Sequence, residues 1–205
     1  MGQMKGMVCM TEKRSRIFTT RNMTLIAVLA AAASVLFLLE IPVIAFYKLD
    51  LSDLPVLLGA FSMGTVPGLV ILALKCLIGL LHSSSAGIGE LADFIMGAAL
   101  VIPASLMYHR NKTRKTAVIG MAAGTLCMAV VSVFVNKWIM IPFYMGAYGI
   151  DMNVVLSMTG QTFIDSELKL LLLVTAPFNI LKGVVISLVT GLIYKPLSPL
   201  LHGRR

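Results

Sequence analysis

A polar pair near the C-terminus interrupts an apolar run that is long enough to span a membrane. Residues 175–194, TAPFNILKGVVISLVTGLIY, contain Asn179 and Lys182, which lie three positions apart and share one face of a helix. A lysine at the centre of a bilayer costs about 2.5–3.5 kcal/mol on insertion scales. Such a residue is functional by default. The alternatives are a side chain that snorkels to the interface or one that pairs with an acid on another span.

Other polar residues occupy apolar runs, and each has a structural as well as a functional interpretation. Asn136 and Lys137 end one run. We favour a solvated helix end for Lys137, whereas Asn136 fits a structural and a functional role equally. Lys75 suggests a structural or interfacial role. Glu90 and Asp93 share a face at the start of another run, and we predict a structural role for both because a helix N-terminus favours acids.

An aromatic and acidic segment, EIPVIAFYKLDLSD at residues 40–53, follows the first apolar run. Glu40, Asp50 and Asp53 border this first outer loop, which is suited to gate a site. An amide, an ammonium and a carboxylate near the outer side, below aromatic loops, suit a neutral, planar, hydrogen-bonding solute.

Catalytic signatures are missing from the sequence. It contains no G-x-x-x-x-G-K-[ST], H-E-x-x-H or G-x-S-x-G pattern. HSSS at residues 82–85 places hydroxyls beside a histidine, but adjacency in a loop does not make a triad. We therefore predict a binding or transport protein and no enzyme. An intramembrane enzyme that uses His82 and a purely structural assembly factor are the alternatives from other classes.

The composition indicates an integral membrane protein. The 205 residues are 58% hydrophobic and 13% charged, with a mean hydropathy of +0.92, whereas soluble domains are about 45–50% apolar and about 25% charged. Three cysteines without a C-x-x-C pattern make a disulfide framework or a zinc site improbable. We predict a basic N-terminal segment at residues 1–21 and a single membrane domain at residues 22–205.

Six apolar runs predict an all-α fold with six transmembrane helices, of which the second is short. The runs lie at residues 23–39, 54–64, 69–81, 91–108, 116–135 and 175–194, and a long loop is expected at 142–167. Twelve of the 17 lysine and arginine residues lie in three groups: five in the N-terminus, four in the 108–115 loop and three in the tail. The positive-inside rule then places both termini in the cytoplasm.

Small residues at helical spacing occur in two runs, where they permit close helix approach. Ala27 and Ala31 in the first run, with Ala30 and Ser34 as a competing frame, suggest a docking face for a partner. The Gly120-x-x-x-Gly124 pair suggests internal packing instead.

The chain also resembles a known family in four stretches. These are IPVIAFYKLDLSDLPVLLGAFSMGTVPG, GIGELADFIMG, NKWIMIPFYM and APFNILKGVVISLVTGLIYKPLSPLL. They are similar to the riboflavin-specific substrate-binding components of energy-coupling factor (ECF) vitamin transporters. The resemblance implies a six-helix protein of the bacterial cell membrane that binds riboflavin, without a cofactor, below a lid formed by the first outer loop.

The resemblance also implies roles for individual residues. In the family, two asparagines and a lysine bind the polar edge of the flavin ring, and these fall on Asn136, Asn179 and Lys182. A glutamate that helps bind the ribityl chain falls on Glu40. The lid and pocket walls correspond to a set in the first outer loop: Phe46, Tyr47, Leu49 and Asp50.

The family's partners follow from the same resemblance. A small-residue motif on the first span docks the transmembrane coupling subunit, and Ala27 and Ala31 fit this motif. Two further subunits supply ATP hydrolysis, which agrees with the missing phosphate loop. A component for another vitamin, such as pantothenate or thiamine, and one that binds flavin mononucleotide are the alternative ligand assignments.

Overall fold

Helices make up most of this chain in the computed structural model. The structure describes residues 19–44, 47–83, 85–149, 151–157, 164 and 166–202. The α-helices are α1 (Thr20–Leu38), α2 (Asp53–Met63), α3 (Thr65–Gly79), α4 (Ile88–Arg110), α5 (Arg114–Val135), α6 (Ile141–Tyr148), α7 (Met152–Ser157), α8 (Glu167–Leu170) and α9 (Ala176–His202). A 3₁₀ turn, Leu80–His82, extends α3, and the predicted N-terminal segment 1–21 lies largely outside the described residues.

Five helical stretches of the described chain are long and apolar enough to cross a membrane. They are Thr20–Leu38, Thr65–His82, Ile88–Arg110, Arg114–Ala147 and Glu167–Tyr194. The second predicted span corresponds to α2, which has only 11 residues. Nine consecutive residues of α2, from Asp53 to Phe61, are buried, so this short helix is enclosed by its neighbours.

Two π-helical segments join α-helices into the last two long stretches. Asn136–Met140 joins α5 to α6, and Leu171–Thr175 joins α8 to α9. Each segment ends two residues before a proline, Pro142 or Pro177. Proline lacks an N–H and its ring clashes with the carbonyl four residues earlier, and a wider π turn accommodates both effects.

These segments correct two of the sequence-based boundaries. The loop predicted at residues 142–167 contains α6, α7 and the start of α8. The last span begins at Glu167 and not beside Pro177, which therefore lies inside a continuous helical stretch. The prediction was wrong because it treated each proline as a helix boundary.

The loop after α1, predicted to lie on the outer side, contains a β-hairpin that the all-α prediction lacks. Strand β1 (Ile41–Ile44) pairs antiparallel with β2 (Tyr47–Leu49), and Ile41 lies opposite Leu49. Proline at position 42 prevents α1 from continuing, and a strand edge tolerates its missing donor. An ion pair between Glu40 and Lys48 reinforces the open end of the hairpin.

Two glycines of α5 make close contacts with α4. A Cβ atom added at Gly120 would lie 2.8 Å from the carbonyl oxygen of Ala104, and one added at Gly124 would collide with that of Leu100. Glycines therefore let α5 approach the backbone of α4, which confirms the internal packing predicted for this pair.

The two small-residue frames of α1 face different surroundings. Ala30 and Ser34 are buried, and the Ser34 hydroxyl donates to the Ala30 carbonyl at 2.9 Å. Ala27 and Ala31 are exposed on the outer surface of the bundle. Of these two frames, only that of Ala27 and Ala31 is therefore open to another helix.

Candidate functional site

A cavity of about 310 Å³ lies between the hairpin and the helix ends beneath it. This volume is at the lower end of the range for small-molecule sites, about 300–1,000 Å³. Its lining combines aromatic, amide and charged groups. It includes Phe37, Glu40, Tyr47, Lys48, Asp50, Glu90, Asp93, Asn136, Tyr144, Phe178, Asn179 and Lys182.

Two buried asparagines reach the cavity, Asn136 from the start of the first π-helical segment and Asn179 from the first turn of α9. The Asn136 side chain donates through Nδ2 to the carbonyl of Ser132 at 2.8 Å, and that of Asn179 donates to the carbonyl of Thr175 at 2.9 Å. Each bond returns to the same helix four residues earlier and fixes the amide's orientation. One N–H and the amide oxygen of each side chain are then left for a ligand, because an amide carries two donors and one carbonyl acceptor.

Lys182 lines the cavity and is also held by three carboxylates. Its Nζ lies 2.9 Å from Oδ2 of Asp50, 3.5 Å from Oδ1 of Asp93 and 3.7 Å from Oδ2 of Asp53. Pairing of this kind compensates the desolvation of a buried ammonium. The pairing alternative considered for Lys182 is therefore correct, and it coexists with a position on the cavity wall.

Lys75 lies behind Lys182 and shares two of its partners. The fully buried Nζ of Lys75 lies 2.8 Å from Oδ1 of Asp53, 2.7 Å from Oδ2 of Asp93 and 2.9 Å from Oγ of Ser52. The two shared carboxylates thus bridge both lysines, one oxygen to each. We call Lys75, Lys182, Asp50, Asp53 and Asp93 the ion-pair cluster.

Asp50 connects this cluster to the hairpin, since it directly follows β2. Its Oδ1 accepts hydrogen bonds from the backbone N–H of Ser52, at 2.9 Å, and from the Ser52 hydroxyl. Burial by itself raises the pKa of Asp50, but the ammonium groups of Lys182 and Lys75 and the Ser52 hydroxyl outweigh it and hold the pKa well below its usual range. Asp50 is therefore ionised at neutral pH.

Tyr47 connects the hairpin directly to the last helical stretch. Its hydroxyl hydrogen-bonds with the Thr175 hydroxyl, and its ring lies 5.3 Å from the Phe178 ring between centroids. Burial raises the pKa of Tyr47 to about 12, so the hydroxyl is neutral at physiological pH. The hairpin is thus attached both to the ion-pair cluster and to the helix that carries Asn179.

Most of the site residues predicted from the sequence meet at this one cavity. Glu40, Tyr47, Asp50, Asn136, Asn179 and Lys182 all line it. Phe46 lies outside the described residues. Leu49 does not line the cavity but packs against the apolar cluster that contains Leu170 and Val174.

Sequence reasoning missed the pairing of Lys182 with Asp53 and Asp93. Glu90 does lie in the first turn of α4, as predicted, but Asp93 lies further along and pairs with two lysines. The structural role predicted for Lys75 is borne out by its buried ion pairs. One signal for the cluster was available: two lysines in apolar runs require buried counter-charges, and the sequence has few acids to supply them.

The fold and the site define a multi-pass helical membrane protein with a cavity of small-molecule size beneath a β-hairpin. Residues 21–194 match the family of the ECF transporter substrate-specific component. The chain belongs to this family, as the resemblance in its sequence indicated, and is a multi-pass protein of a bacterial cell membrane.

Individual relatives agree with this assignment. The chain is 30% identical to riboflavin transporter RibU of Staphylococcus aureus strain TCH60 over 87% of this chain and 90% of that one. It is 31% identical to RibU of Lactococcus lactis subsp. cremoris strain NZ9000 (85% and 91%) and 26% identical to riboflavin transporter FmnP of Bacillus subtilis strain 168 (90% and 96%).

A solved structure, described as the S component of a bacterial ECF transporter, shares the fold. It superposes with a TM-score of 0.70 at 29% sequence identity, and the match covers 90% of this chain and 98% of that one.

Proposed function

We propose that this chain binds riboflavin at the outer side of the membrane as the substrate-specific component of an ECF transporter. The observation that carries the proposal is the convergence of Asn136, Asn179 and Lys182 on one cavity. The names of the relatives, riboflavin transporters in each case, support the same ligand. The chain acts by binding, and partner subunits supply ATP hydrolysis.

The proposed topology has six transmembrane helices with both termini in the cytoplasm. The five long apolar stretches and the enclosed short helix α2 supply the six. The loop between α4 and α5 carries Arg110, Lys112, Arg114 and Lys115, which suit the cytoplasmic side. The cavity and the hairpin lie at the other end of α4, beside Glu90 and Asp93, and hence at the outer side.

The arrangement of polar groups suggests how the ligand lies. Asn136, at the π-helical segment after α5, and Asn179 and Lys182, in α9, present donors and acceptors that match the alternating carbonyl and imide edge of a flavin ring. Phe178 and Tyr47 offer apolar surface to the ring plane. Glu40, at the far end of α1, accepts hydroxyls of the ribityl chain. The hairpin above them serves as the lid.

The proposed partner surface is the exposed side of α1. Ala27 and Ala31 are one turn apart, exposed and small, so a transmembrane helix of the coupling subunit can approach the α1 backbone closely. Two ATPase subunits complete the proposed assembly, and membrane lipid surrounds the remaining apolar exterior.

The direct test is a visible absorption spectrum of the detergent-purified protein, followed by titration with riboflavin while its fluorescence is recorded. We expect flavin colour in the purified protein, or saturable quenching at one ligand per chain after the flavin is removed. A colourless protein that fails to quench riboflavin contradicts the proposal. Parallel titrations with thiamine and pantothenate then identify a different vitamin.

A further inference from the structure

Glu90 is an acid on the cavity wall that the proposed binding mode does not use. It lies in the first turn of α4, and only 7% of the residue is exposed. Its Cγ lies 3.4 Å from the position of a Cβ added at Gly79, close to the Phe37 ring. This part of the wall belongs to α1, α3 and α4, whereas Asn136 enters from the π-helical segment after α5 and Asn179 enters from α9.

The loop before α4 holds the Glu90 carboxylate by one oxygen. Oε2 accepts from the Ser83 hydroxyl at 2.8 Å and from the Ser85 hydroxyl at 3.5 Å. Both hydroxyl oxygens accept backbone N–H groups, from Gly87 and Gly89, each at 2.9 Å. These N–H donors leave each hydroxyl proton available to donate to Glu90. No described residue donates to Oε1.

Glu90 differs from the other acids of the cavity wall in its charge balance. Glu40 pairs with Lys48, while Asp50 and Asp93 pair with Lys182. Within the described ranges of the chain, no lysine, arginine or histidine forms a salt bridge with Glu90. A buried carboxylate without a cation needs hydrogen-bond donors to offset its desolvation. Oε1 therefore requires a donor from the contents of the cavity.

We propose that Glu90 is a specificity-determining residue, whose Oε1 accepts hydroxyls of the ligand's polyol chain and whose charge excludes ligands that carry a phosphate there. The inference rests on the proposed function, since it assumes a flavin with its ring against Asn136 and Asn179. A carboxylate accepts a hydrogen bond from a hydroxyl, whereas a phosphate brings a second negative charge beside Glu90, which forms no salt bridge with any described residue.

Three flavins test the two parts of this proposal, the hydrogen bond to the polyol chain and the exclusion of phosphate, separately. Lumiflavin has the ring without the polyol chain, riboflavin has the chain, and flavin mononucleotide has the chain with a terminal phosphate. We expect the wild type to bind riboflavin more tightly than either of the others in fluorescence-quenching titrations. Equal affinity of the wild type for riboflavin and flavin mononucleotide overturns the proposal without any variant.

The variant Glu90→Gln removes the charge and keeps the size of the side chain. We expect riboflavin affinity to fall about tenfold, because a hydrogen bond to a charged group is lost. Lumiflavin affinity stays unchanged, and the preference for riboflavin over flavin mononucleotide shrinks about tenfold as one repulsive charge is removed. Glu90→Asp keeps the charge, so we expect it to retain the discrimination against flavin mononucleotide. It is the variant to measure if Glu90→Gln does not fold.

Glu167→Gln is the matched control, since it removes one carboxylate in α8 that does not line the cavity. We expect it to leave all three affinities unchanged. If Glu90→Gln keeps the wild-type preference for riboflavin over flavin mononucleotide, the inference is overturned while the proposed function stays intact. Absence of any flavin binding by the wild type overturns the proposed function itself, so the two failures are distinguishable.

Discussion

The Nζ atom of Lys182 lies 2.9 Å from Oδ2 of Asp50, although the two residues are 132 positions apart in the chain. This pair joins the last long helix to the segment that directly follows the hairpin. The same lysine lines the cavity, so one side chain joins the proposed ligand site, the hairpin and the buried carboxylates.

The variant Lys182→Ala is expected to lose stability as well as flavin affinity. It leaves three buried carboxylates with Lys75 alone, and breaking a buried ion pair from one side costs about 3–5 kcal/mol. We expect a clearly lower melting temperature in detergent, measured by intrinsic fluorescence. Adding Asp50→Asn restores stability in part, because one unpaired carboxylate disappears, but does not restore riboflavin binding.

Lys137→Ala is the control for this series, since Lys137 is exposed and outside the cavity lining. It is expected to change neither melting temperature nor affinity. If Lys182→Ala has the same melting temperature as the wild type, the ion-pair cluster does not stabilise the fold.

The variants Asn136→Ala and Asn179→Ala are expected to weaken riboflavin binding about tenfold each, the effect of losing hydrogen bonds to a buried ligand. Stability should change little, because each amide donates only to its own helix. Quenching titrations measure the affinity, and the exposed Asn153→Ala in α7 is the matched control. Unchanged riboflavin affinity in both cavity variants means that neither asparagine contributes to the binding site.

The variant Tyr47→Phe is expected to release bound riboflavin several-fold faster. It removes the hydroxyl that hydrogen-bonds with Thr175 and keeps the ring contact with Phe178, so the hairpin loses one of its attachments to the last long helical stretch. Stopped-flow recovery of flavin fluorescence measures the release rate. A rate equal to that of the wild type means that this bond does not hold the lid closed.

The variant Ala31→Leu is expected to abolish assembly with the coupling subunit while leaving riboflavin affinity intact. A larger side chain on the exposed face of α1 keeps a partner helix at a distance. Co-purification from cells that produce all subunits measures the assembly. Ala122→Leu, on the exposed side of α5, is the control and should co-purify normally. Normal assembly of Ala31→Leu places the partner on another surface.

The sequence by itself determined the properties that depend on local pattern and composition. Apolar runs predicted the membrane spans, because lipid requires about 20 consecutive apolar residues whatever the tertiary contacts. The three-residue spacing put Asn179 and Lys182 on one helix face, because helical geometry depends only on neighbours along the chain. The motif resemblance indicated the family, which the family match confirmed.

Tertiary structure alone decided how the distant groups combine. Pairing of Lys75 with Asp53 and Asp93 joins three different helices, and no local period encodes such a contact. The π-helical turns before Pro142 and Pro177 persist because packing around Asn136 and Thr175 holds them, whereas local rules predict a break. Which of the two small-residue frames of α1 is exposed likewise depends on which face meets α3, since both frames have similar local chemistry.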